Sequence, residues 1–62
     1  MHENKKDRLT VEVGDLIYDK KYREHLLVIE KSINYTKWLV LETGRHDWDI
    51  NSQITTDEFE QA

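Results

Sequence analysis

Between Val13 and Ile50 the chain sustains no apolar run longer than four residues, and polar clusters separate the runs. An amphipathic helix needs apolar residues recurring three and four apart over ten or more positions, whereas short continuous or alternating runs bounded by turn formers read as strands. Leu9, Val11 and Val13 alternate with Thr10 and Glu12, which predicts a strand buried on one face. Gly14-Asp15 interrupts it: Gly takes a positive φ freely and Asp closes a local turn through its side chain, so a bend or bulge is expected. Leu16-Ile17-Tyr18 resumes as strand and residues 19–24 form a polar loop. Residues 25–31 are too short and too continuously apolar for a surface helix and read as a central strand. Residues 32–35 make a turn, and residues 36–42 return as the second arm of a hairpin. After the turn at Thr43-Gly44, residues 45–50 alternate strictly. His46, Trp48 and Ile50 are assigned to the core, and Arg45, Asp47 and Asp49 to solvent.

The end of the chain has two readings. Thr55-Thr56-Asp57-Glu58 has the spacing of a capping box, with Ile54 and Phe59 placed as a hydrophobic staple, which predicts a short helical turn. Alternatively, Ile54-Thr55-Thr56 continues as a last strand. At 62 residues the chain holds one domain, and a chain this short buries only about 60% of the surface it exposes when unfolded. Residues 1–8 are too polar to pack and are expected to form a flexible arm, leaving residues 9–62 as the domain. No cysteine is present, so neither disulfides nor thiolate zinc supplement the small core. No apolar run approaches the roughly 20 residues of a membrane span, and the N-terminal residues lack a secretory signal, so a cytoplasmic location is expected.

The net charge of −4 is unevenly distributed. Residues 1–31 carry seven acids and seven bases; residues 32–62 carry six acids against Lys37 and Arg45. An acidic half of this kind repels a phosphate backbone and favours cationic patches on proteins, an attraction that salt screens.

Four or five short strands joined by tight turns predict an all-β fold, a small antiparallel barrel that removes its own edges. Val13-Gly14-Asp15-Leu16-Ile17-Tyr18, with Trp38-Leu39-Val40-Leu41, Gly44, Trp48 and Asn51-Ser52-Gln53-Ile54, resembles the SH3-like barrels of the KOW and Tudor type, particularly the small single-domain versions found among bacteriophage proteins. The resemblance covers about two thirds of the chain. It implies that Gly-Asp opens the first strand, that a central hairpin builds the sheet and that a 3₁₀ turn precedes the last strand. Where a KOW segment carries a Gly after its first loop, Arg23-Glu24-His25 stands here.

Few residues carry chemistry. His2, His25 and His46 lack metal-ligand spacing, and no metal or other cofactor is expected. Ser32 and Ser52 lack a nucleophile elbow, and two glycines make no phosphate loop, which argues against an enzyme. Asp47 and Asp49 are spaced like a carboxylate pair, but a solvated acidic strand face explains them without a cleft. Asn34-Tyr35-Thr36 matches a glycosylation acceptor by coincidence in a chain read as cytoplasmic.

Three function classes follow. The first is a non-catalytic protein-binding module that meets a basic surface through Tyr35, Trp38, Glu42, Asp47 and Asp49, with Arg45 fixing register. The phage resemblance makes the partner a host protein that is inhibited or redirected. In this set the direction of Trp38 is open: it faces out, or it faces in with Val40 while Leu39 and Leu41 cover the other side. The same ambiguity holds for Leu26 and Val28 against Leu27 and Ile29, and whichever pair faces out makes a partner or a homo-oligomer attractive. The second class is nucleic-acid binding through Lys20, Lys21, Tyr22 and Arg23, which Asp19 and Glu24 partly neutralise. The third is a virion or assembly component that self-associates through exposed strands.

Overall fold

The computed structural model describes residues 7–62. The chain is all-β: β1 (Leu16–Asp19), β2 (Glu24–Lys31), β3 (Tyr35–Val40), β4 (His46–Ile50), a 3₁₀ turn at Asn51–Gln53, and β5 (Phe59–Gln61). All pairings are antiparallel, in the order β4-β3-β2-β1-β5. Trp38 of β3 meets Phe59 of β5 with ring centroids 5.7 Å apart, although β2 and β1 separate the two strands in the sheet. The sheet therefore curls over onto itself, and its core lies in the concavity.

That core is Val11, Ile17, Leu26, Val28, Trp38, Val40, Ile54 and Phe59, with Leu9 packed against it. Period 2 explains most of it: Leu26 and Val28 face in, and β3 buries Thr36, Trp38 and Val40 in phase. Continued alternation along β2 would turn Glu30 inward. A bulge between Val28 and Glu30 absorbs Ile29 and flips the phase. Glu30 consequently lies outside, where it accepts the Tyr35 hydroxyl and sits 3.8 Å from Lys37 Nζ.

The segment before β1 corrects one expectation. Residues 9–13 do not form a strand: a single bridge joins Arg8 to Thr55, Leu9 N donates to Ile54 O, and Val11 is buried while Val13 is 60% exposed. The pairing with residues 54–56 stops at Leu9, so Thr10 to Val13 run on as irregular chain. The bend that follows is as the residues require, with Gly14 at φ 97° and Asp15 Oδ2 accepting Glu12 N. Of the expected arm, residues 1–6 lie outside the described residues, as does His2.

The hairpins and the tail also differ in detail. β3 stops at Val40, and the connection to β4 closes through Gly44 N on Val40 O, with Gly44 at φ 76°. Thr55 to Glu58 combines parts of both expected forms: Phe59 N donates to Thr55 O across one helical turn. The last strand follows that turn, at Phe59, rather than occupying residues 54–56.

Candidate functional site

β4 and β5 do not pair with each other, and the gap left by incomplete closure is a groove of about 540 Å³. Its floor is core side chain: Leu26, Trp38, Val40 and Phe59. One wall is the β1–β2 connection with Asp19, Lys21, Tyr22 and Glu24; the other is β4 with Asp47, Trp48 and Asp49; Arg45 and Glu58 complete the border. Five carboxylates thus face two cations around an aromatic floor.

The β1–β2 wall is held by Asp19, which is 7% exposed. Its Oδ1 accepts Lys21 N at 2.9 Å and Tyr22 N at 3.2 Å, so the carboxylate caps the loop that it begins. Lys20 N donates to Glu58 O, tying the loop to the turn before β5. Arg23 closes the loop in the left-handed region, φ 58°, a conformation that Gly adopts more readily than Arg. Lys21 Nζ lies 5.4 Å above the Tyr22 ring.

The β4 wall corrects the face assignment made from alternation. Asp47 pairs with Trp38 and Asp49 with Thr36, both buried, so the two carboxylates continue the inner face of the sheet. Trp48 pairs with Lys37 on the outer face and is 58% exposed. Its ring meets Tyr35 edge-on at 6.3 Å. β4 is the edge of the sheet, beyond the reach of the core, so its inner face tolerates acids that stay exposed or half-buried at the border of the open groove. Oδ1 of Asp47 accepts Trp48 N and Oδ1 of Asp49 accepts Ile50 N, both at 2.9 Å.

The residues expected to form one contact surface are divided. Asp47, Asp49 and Arg45 border the groove, and Trp38 is its floor at 5% exposure, buried rather than presented as an outer contact. Tyr35 and Glu42 are elsewhere. Tyr35 is on the outer face, donating its hydroxyl to Glu30, whose carboxylate raises the Tyr35 pKa. Glu42 clamps His25: Oε1 accepts His25 N at 2.7 Å, and Oε2 lies 2.6 Å from Nδ1. These hydrogen bonds from His25 hold the Glu42 carboxyl below its ordinary range. The His25 ring packs on Tyr18 at 5.0 Å.

The basic loop is divided too. Lys21 and Tyr22 border the groove, while Lys20 Nζ reaches Thr56 O at 3.0 Å and Glu60 at 3.8 Å. Among the described residues, no three His, Cys, Asp or Glu side chains are placed to hold a metal ion, and no helix is long and apolar enough to cross a membrane. Besides Leu26 and Val40 of the floor, Asp19, Glu24, Glu58, Trp48 and Phe59 are the groove residues that the sequence did not single out for a contact role. Asp19 and Glu24 were visible there only as neighbours neutralising the lysines. No family model, curated protein or solved structure matches the chain.

Proposed function

We propose that the chain is a small SH3-like, non-catalytic protein-binding module that takes a cationic surface of another protein into the groove between β4 and the β1–β2 connection. The observation that carries this reading is the excess of carboxylates bordering an apolar, aromatic floor. Such a groove supplies burial for affinity and charge for orientation, and it disfavours nucleic acid, whose phosphates the same carboxylates repel. The strand order and the 3₁₀ turn before β5 support the SH3-like reading. In keeping with the resemblance to small phage barrels, the module acts in the host cytoplasm by covering a basic or nucleic-acid-binding surface of a host protein, inhibiting or redirecting it.

Capture from a nuclease-treated bacterial lysate tests this, with the wild type compared with Asp47→Lys/Asp49→Lys. A stoichiometric basic protein held by the wild type, lost on charge reversal and rebound when purified, is the expected result. Capture that vanishes with nuclease points to nucleic acid, and recovery of the bait alone points to self-assembly; either overturns the proposal.

A further inference from the structure

The free edge of β4 carries a second layer of information. Val40 N donates to Arg45 O and Asn51 N to Asn34 O, which marks those as hydrogen-bonded pairs of the β3–β4 ladder. By alternation, Asp47 with Trp38 and Asp49 with Thr36 are hydrogen-bonded pairs as well. The N–H and C=O groups of His46, Trp48 and Ile50 therefore point away from β3, toward the edge that no strand among the described residues occupies. The N–H groups of Trp48 and Ile50 are taken by the carboxylates of Asp47 and Asp49. An edge strand normally risks pairing with any exposed strand, and here two anions stand over its donors.

We infer that β4 is a charge-gated strand-addition edge, and that its occupant is an extended segment of the partner protein with basic residues at every second position. This inference rests on the groove reading above and specifies how the partner sits. In antiparallel addition His46, Trp48 and Ile50 become hydrogen-bonded positions, and the residues opposite Asp47 and Asp49 occupy the closer, non-hydrogen-bonded positions. A Lys or Arg there draws each carboxylate away from the strand N–H, and carbonyls of the incoming segment replace it. The alternate residues of that segment face the outer side beside Trp48 and Ile50, 58% and 42% exposed, so an apolar residue there gains burial. A second copy of this chain is the poorer occupant: the register that overlaps β4 with β4 along its whole length, centred on Trp48, sets Asp47 against Asp49 twice, and a register that brings Arg45 opposite Asp47 leaves little of β4 paired.

The probes are capped five-residue peptides: Lys-Val-Lys-Val-Lys, the same peptide N-methylated at both valines, and Glu-Val-Glu-Val-Glu. Binding and amide exchange are followed by NMR. The valines occupy the hydrogen-bonded positions, so methylation removes the N–H groups that would pair with β4 carbonyls while leaving the charge intact. The expected result is slowed exchange at Trp48 and Ile50 with the lysine peptide, affinity about tenfold lower after methylation, and no binding of the glutamate peptide. Asp47→Asn/Asp49→Asn keeps an acceptor for each strand N–H and removes the charge. That variant is expected to keep the fold and bind the lysine peptide about tenfold more weakly. Equal affinity for the methylated peptide, with no protection at Trp48 and Ile50, overturns strand addition and leaves the groove reading standing. Failure of both lysine peptides to bind overturns both. Protection at Trp48 and Ile50 that grows with the concentration of the chain alone replaces the proposed occupant with a second copy.

Discussion

Trp38 and Trp48 differ by one residue in phase and by everything in environment: 5% exposed in contact with Phe59, against 58% exposed on the outer face. Trp38→Ala is expected to cost about 3–5 kcal/mol through the cavity it leaves, a large fraction of what so short a chain possesses. Trp48→Ala removes one edge-on ring contact and costs about 1 kcal/mol or less. Urea unfolding of the two variants checks the order, and equal losses would contradict the assigned phases. The second residue-scale consequence concerns acid. The hydrogen bonds from His25 hold the Glu42 carboxyl below the ordinary carboxylate range, so its contribution to stability is fully present above that range and is lost as pH falls through the lowered pKa. Glu42→Gln should therefore flatten this part of the acid limb of the stability profile, while leaving a smaller stability near neutrality. An unchanged acid limb would remove the clamp from the account.

Among the elements, one side chain reinforces the backbone bond from Asn51 N to Asn34 O that links the β2–β3 turn to the 3₁₀ segment. Asn51 Nδ2 donates to Ser32 O at 3.0 Å and Ile33 O at 3.2 Å, and its Oδ1 accepts the Thr36 hydroxyl at 2.7 Å. Thr36 is 1% exposed, so Asn51→Ala strands a buried hydroxyl as well as freeing the turn. A loss of about 1–3 kcal/mol is expected in chemical denaturation, and a loss within experimental error would show that the turn is held by its backbone alone. The strands from residue 16 to residue 50 were legible because each has its own periodicity and its own flanking turn. The segment at residues 9–13 was not, because alternation records which side chains can be buried and not whether a neighbouring strand exists. The face of β4 was readable in principle: any loop with an even number of residues between β3 and β4 pairs an even-numbered residue with an odd-numbered one. Trp38 and Trp48 therefore cannot both face inward. Strict alternation in residues 45–50 looked like a core strand because it presents His46, Trp48 and Ile50 together, and only position at the edge of the sheet makes that side the solvent side.

At the scale of the whole molecule, the uneven charge seen in the sequence becomes a place. Acids separated by up to 39 positions, from Asp19 to Glu58, border one groove because the curled sheet leaves β4 and β5 unpaired across a gap. The candidate site was only partly legible for this reason. Asp47, Asp49 and Arg45 announced themselves by local pattern, whereas Asp19, Glu24 and Glu58 join them only through closure of the sheet. Tyr35 and Glu42 share their polarity and aromatic character but lie on its other face. Shift mapping of the ¹⁵N-labelled chain with pentalysine, repeated at rising salt, tests the central claim most directly. The account predicts changes concentrated at Asp19, Lys21, Tyr22, Glu24, Arg45, Asp47, Asp49, Glu58 and Phe59, shrinking as salt screens the charges. Changes centred on Tyr18, His25 and Glu42, or none at any salt concentration, would contradict it.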